Sequence, residues 1–147
     1  MERVGEIKIS NIGRIVFSVE EWKGKYGLDI RTFIDTSNYS GPTQKGIRLH
    51  KNAVNRLIPI IGQLTDYHEL REDIVIGKVA KDFDTDFVVQ ITNFSGSTKL
   101  DIREQVTSKK GVFYTAKGIS IPIDRLDEFK ELLLETAWLF ENILQDH

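Results

Sequence analysis

The chain has 147 residues, is 40% hydrophobic and carries a formal net charge of −2, which is enough apolar content for one ordinary core or for two small modules sharing one. With no cysteine there is no disulfide framework, no thiolate metal site and no thiol nucleophile. No apolar run approaches the roughly 20 residues of a membrane span, and Met1-Glu2-Arg3 does not lead into a signal-peptide core, so a cytoplasmic protein is expected, nucleoid-associated or nuclear in a eukaryote.

In chain order, Gly5 to Ser10 reads as a short strand, and Ile15 to Glu20 alternates Ile15, Phe17 and Val19 with Val16, Ser18 and Glu20. Leu28, Ile30 and Phe33 continue the pattern, Gly41-Pro42 marks a turn, and Thr43 to Leu49 gives a fourth strand. Asn52 is the expected N-cap of a helix carrying Val54, Leu57, Ile58 and Ile61 on one face, with Pro59 expected to kink or shorten it. Thr65 to Asp73 reads as a linker or as a continuation of that helix. Four more strands follow at Val75 to Lys81, Asp86 to Thr92, Thr98 to Gln105 and Tyr114 to Ile121, with Lys109-Lys110-Gly111 as a hairpin tip. Asp124 is then expected to cap a longer helix with the apolar face Leu126, Phe129, Leu132, Leu133, Thr136, Ala137 and Phe140. Phe17, Phe33 and Phe87 are assigned to the buried faces of their strands.

The second series repeats the first. Asp29 to Asp101 and Lys45 to Lys117 are both 72 positions apart, and the same shift carries Gly5 onto Gly77, Trp22 onto Phe94, Gly24 onto Gly96, Leu57 onto Phe129 and Ile61 onto Leu133. A gap-free internal duplication of this kind implies an α+β protein of two tandem ββββα units, residues 1–72 and 73–147. Each unit is a four-stranded antiparallel sheet plus a helix. One helix covers one face of such a sheet and exposes apolar surface that its twin can cover, so the units should pack as a pseudo-twofold pair with Leu57, Ile61, Phe129 and Leu133 buried. Further homodimerisation is left open.

The other sheet face should then be open, and the charge pattern indicates what it meets. Nine Lys/Arg against four acids lie between Lys8 and Arg56, whereas Asp124 to the end holds seven acids and two bases. EWKGKYGLDIR, Glu21 to Arg31, sets Trp22 among lysines, and NFSGSTKLDIR, Asn93 to Arg103, sets Phe94 in its place. Gly24 and Gly96, each two residues beyond the aromatic, suggest turn tips that would expose it. Aromatics stack on bases and Lys or Arg neutralise phosphates, neither of which reads sequence. Trp22 and Phe94 could instead be core aromatics at strand ends, and Arg31 and Arg103 could pair with Asp29 and Asp101 on the same strand face. Lys45 and Lys117 could be ordinary solvated lysines. His50, His68 and His147 share no ligand-like spacing and no nucleophile–base pair is repeated, so neither a metal site, a cofactor nor an enzyme is expected.

The two tracts, each followed by Lys-Gly-Ile (Lys45 to Ile47 and Lys117 to Ile119) and then a helix, resemble the single-stranded-DNA-binding domain of the transcriptional coactivator positive cofactor four, twice over. The resemblance implies a body paired through its helices and last strands, with single-stranded DNA lying across the curved sheets. It implies Trp22 and Phe94 as stacking aromatics, and Lys23, Lys25, Arg31, Arg103, Lys45 and Lys117 as phosphate contacts. Arg48 and Lys99, basic residues of the same strands, complete the candidate nucleic-acid site. Ser95 and Ser97 replace the lysines of the first copy, so the second should grip phosphate less strongly. Gln44 and Ala116 stand where an arginine often precedes Lys-Gly-Ile, and no Ser-rich segment precedes the first strand, which counts against a coactivator role tied to such a tail. Two other readings stay open: an RNA-binding protein of the same fold, and a protein-interaction scaffold working through the acidic C-terminal helix.

Overall fold

The structure is a computed structural model that describes residues 2–64 and 72–146. Strands β1 (Glu2–Lys8), β2 (Gly13–Trp22), β3 (Lys25–Asp35) and β4 (Ser40–His50) form an antiparallel sheet in the order β1-β2-β3-β4, followed by α1 (Lys51–Gly62). Strands β5 (Ile74–Ala80), β6 (Thr85–Phe94), β7 (Ser97–Ser108) and β8 (Gly111–Pro122) form a second sheet in the order β5-β6-β7-β8. A 3-10 turn at Ile123–Arg125 then leads into α2 (Leu126–Asn142). The fold is α+β with two tandem units. Irregularities in strand pairing also recur at the 72-residue shift: register slips lie between Arg3 and Gly5 and between Val75 and Gly77, and again between Arg31 and Phe33 and between Arg103 and Gln105.

Each helix crosses the first strand of the other unit. A Cβ on Gly5 of β1 would lie 2.6 Å from Leu132 of α2, and one on Gly77 of β5 would lie 3.1 Å from Ile60 of α1. Ile60 and Leu132 are themselves 72 positions apart, so the contact and its twin obey the pseudo-twofold. Side chains of both units form one continuous buried cluster, in which Phe17 of β2 meets Phe129 of α2 edge to face at a centroid distance of 5.3 Å. Leu57, Ile61, Phe129 and Leu133 are all buried, as the amphipathic pattern requires.

The chain end is tied to the first unit as well. Lys51 Nζ donates to the Leu144 carbonyl at 3.0 Å and pairs with Asp146 at 3.3 Å, while the Tyr26 N–H donates to Asp146 at 2.9 Å. That N–H, with help from Lys51, holds the Asp146 carboxyl below the usual carboxylate range.

Several local expectations need correction. Helix α1 begins at Lys51, and its N-cap is His50, whose Nδ1 accepts the Ala53 N–H at 3.1 Å, so Asn52 lies inside the first turn. The helix runs through Pro59 and ends at Gly62. Asp124 sits in the 3-10 turn, and α2 starts without a side-chain cap. Gly41 and Pro42 belong to β4, and the chain reverses earlier, where the Thr36 N–H donates to the Tyr39 carbonyl. Phe33 is on the open face of its sheet: it shares the parity of Asp29 and Arg31 rather than that of Leu28 and Ile30, and the guanidinium groups of Arg3 and Arg14 sit over its ring. Of the expected linker, residues 65–71, with any continuation of α1, lie outside the described residues. Glu72 and Asp73 dock on β6 by accepting from the Asn93 side chain and backbone. Among the described residues no helix is long and apolar enough to cross a membrane.

Candidate nucleic-acid interface

The two aromatics stand at hairpin tips. Trp22 pairs with Lys25 across a two-residue turn whose residues, Lys23 (φ 49°) and Gly24 (φ 81°), are both left-handed; Phe94 pairs with Ser97 across Ser95 (φ 50°) and Gly96 (φ 78°). This is the tight hairpin whose backbone twist matches that of its strands. It lifts the preceding aromatic clear of the core: Trp22 is 56% exposed and Phe94 82%. The alternative that they are core aromatics is set aside by those exposures.

Behind Trp22 lies a charged network on the open face of the first sheet. Asp29 and Arg31, two apart on β3, face the same way, and the Arg31 guanidinium grips Asp29 at 2.9 and 3.1 Å while donating to the Thr43 carbonyl at 3.0 Å. Arg48, directly across from Asp29 on β4, adds a bond to it at 3.3 Å, reaches Glu20 at 3.6 Å and lays its guanidinium 4.4 Å from the centre of the Trp22 ring. A guanidinium over an indole face is a favourable cation–π contact, and it leaves the other face of the ring outward.

The glycine of Lys-Gly-Ile has its reason here. Gly46 is paired with Arg31 across the ladder, and a Cβ at that position would lie 2.7 Å from Arg31 Cζ and 2.9 Å from the Ile30 carbonyl oxygen. The arginine after Asp-Ile and the glycine after lysine are therefore one device, in which the guanidinium lies across a bare backbone. Gly118 serves Arg103 in the same way with more room, the closest approach being 3.3 Å. Gly46→Ala should cost about 1–3 kcal/mol of stability through overpacking, and Gly118→Ala distinctly less. Denaturant midpoints of the two variants check this, and equal midpoints would mean that Arg31 is not held as described.

A groove of about 650 Å³ runs from Trp22 along the edge of the first sheet to the second unit. On one side are Glu20, Trp22, Lys25, Tyr26, Arg31, Arg48 and His50; on the other are Lys81, Glu104 and Lys117. Lys117, assigned from sequence to the second copy's site, thus faces the aromatic of the first. Lys81 is held by the buried Glu104 at 2.9 Å and both arginines are held by Asp29, whereas Lys25 and Lys117 enter no ion pair among the described residues. Exposed Lys23 sits beside Trp22 on the turn but does not line the groove. At the edge of the groove the Tyr26 hydroxyl titrates above its ordinary value, chiefly through its hydrogen bond to Glu21.

The second face is the poorer copy. Asp101 is held by Arg103 at 3.2 Å and by Gln90 at 2.9 Å, since Gln90 stands where the first unit has Ser18 and Ser120 where it has Arg48. No guanidinium supports Phe94 from that position. Exposed Lys99 and Phe94 and half-buried Arg103 share this face, and the 72-residue shift makes Lys45 the counterpart of Lys117. The structure thus gathers Trp22, Lys25, Arg31, Arg48 and Lys117 into one groove, while Phe94, Lys99 and Arg103 lie apart on the other sheet. The sequence reading missed Tyr26, Phe33 and Lys81. Strand parity would have found Phe33; Lys81 joins the groove through tertiary packing and left no local signal. Among the described residues no three side chains are placed to hold a metal ion.

The family model described as Transcriptional Coactivator p15 (PC4) matches residues 9–60 and again residues 82–132. No curated protein matches the chain.

Proposed function

Because the chain belongs to the Transcriptional Coactivator p15 (PC4) family, we propose that it is a non-enzymatic protein that binds single-stranded DNA with little sequence preference and acts in transcription, replication or recombination. The observation that carries this reading is Trp22, exposed at the mouth of a groove with one ring face backed by Arg48 and with Lys25 and Lys117 in reach. A base stacked on the outer ring face would bring its flanking phosphates to those ammonium groups, and neither stacking nor phosphate contact depends on which base is present. Asp29 and Glu20 together offset the charge of Arg31 and Arg48, so Arg48 positions the aromatic and the pair offers donors rather than free charge. We place the protein in the cytoplasm, or with the nucleoid or nucleus where the DNA is.

Titration with fluorescent oligo-dT, oligo-rU and a duplex of equal length tests this. The expected order is oligo-dT tightest and duplex weakest. An oligo-rU preference would move the reading to RNA, since an open stacking platform accepts either strand. Affinity should fall with salt at about 0.7 log units per phosphate contact per log unit of salt, hence a slope of about 1.4 from the two unpaired ammonium groups of the groove. A flat response would remove the groove from the explanation.

A further inference from the structure

The outer face of α2 is built unlike that of α1. Asp127, Glu131, Leu134, Glu135, Trp138 and Glu141 are all exposed, and at 3.6 residues per turn they fall within an arc of about 120°. Leu134 and Trp138, one turn apart, are each 57% exposed. The four carboxylates around them enter no ion pair among the described residues; Arg125 is taken by Glu128 and Lys130 donates to the Leu64 carbonyl. Shifted back by 72 positions, Glu131, Leu134 and Glu135 become Pro59, Gly62 and Gln63, so α1 carries none of this. Beside Leu134 the two helices leave an apolar hollow of about 70 Å³ floored by Ile61 and Leu133.

We infer that this face docks a basic amphipathic protein segment, whose aliphatic side chains cover Leu134 and Trp138 and enter the hollow while its Lys or Arg residues meet the surrounding carboxylates. A partly apolar surface with a tryptophan at its centre and charge at its rim has the layout of a protein-docking site. The charge selects the occupant. A second copy placed on a twofold would set four carboxylates against four, and nucleic acid or an anionic bilayer would be repelled. The face lies on a helix, apart from the groove at Trp22, so a partner there could be carried on a nucleic-acid-bound molecule.

The probe is a synthetic helical peptide with leucine every three or four residues among lysines, set against an oligolysine of equal charge, titrated into the full chain. The leucine-bearing peptide should bind at least tenfold more tightly than oligolysine. Trp138→Ala and Leu134→Ala should each weaken it by about tenfold, leaving the thermal midpoint and oligo-dT affinity unchanged. The paired substitution Glu131→Gln, Glu135→Gln should weaken it similarly and flatten its salt dependence; both side chains are in solvent, so this variant decides the matter even if Trp138→Ala unfolds. Equal binding of peptide and oligolysine would overturn the proposal. So would unchanged peptide binding in these variants, or a Trp138-dependent dimer in sedimentation without peptide binding.

Discussion

Phe129→Ala should lower the stability of the whole chain by about 3–5 kcal/mol and unfold both units in one transition. Phe129 belongs to α2 of the second unit, yet it is fully buried against Phe17 of the first, edge to face at 5.3 Å. Truncation removes that aromatic pair, about 0.5–1.5 kcal/mol beyond area burial, and opens a cavity in a core shared by both sheets. Against a total stability of roughly 5–15 kcal/mol the loss is large. The chain carries its own reporters, since its two tryptophans fall one in each unit, Trp22 and Trp138. Urea unfolding of the two single-tryptophan variants, with and without Phe129→Ala, should give coincident midpoints that move together. A shift at Trp138 with none at Trp22 would show that the units fold independently and that the shared core contributes little.

Much of this arrangement was legible because it is periodic. The 72-residue shift needs only residue identity, and it carried the α+β architecture, the pairing of units and the burial of Leu57, Ile61, Phe129 and Leu133. Turn chemistry did the same for the site: Gly24 and Gly96 announced tight turns, and those turns expose Trp22 and Phe94. What stayed hidden lies where distant segments meet. Lys117 reaches the groove of Trp22 because the sheets pack side by side, a relation with no local pattern. Strand-to-strand pairing likewise sets Gly46 beneath Arg31, so two motifs that look separate along the chain are a single contact. His50 as an N-cap was missed because capping statistics favour Ser, Thr, Asp and Asn, and an imidazole does the same work through an unprotonated nitrogen. Phe33 is two positions from Arg31 on β3, so strand alternation puts it on the open face with Asp29 and not with Leu28 and Ile30, and there it adds a second aromatic, under Arg3 and Arg14, to the open surface.

Trp22→Ala should weaken binding of oligo-dT by about 1–3 kcal/mol, roughly five- to 150-fold, while leaving the fold nearly as stable as before. The ring is more than half exposed at a hairpin tip, so its removal opens no cavity. Arg48, which loses its cation–π partner, keeps its contacts to Asp29 and Glu20. Phe94→Ala should have the smaller effect, since Ser95, Ser97 and Ser120 stand where the first copy has Lys23, Lys25 and Arg48. With Trp138→Phe as background, the emission of Trp22 should also change when oligo-dT is added, because a stacked base alters the environment of the indole. Thermal midpoint and oligonucleotide affinity measured on the same variant separate stacking from structure: a binding loss that merely tracked unfolding would make the role of Trp22 one of holding the hairpin, and a well-folded Trp22→Ala protein that binds as tightly as the parent would end the stacking role.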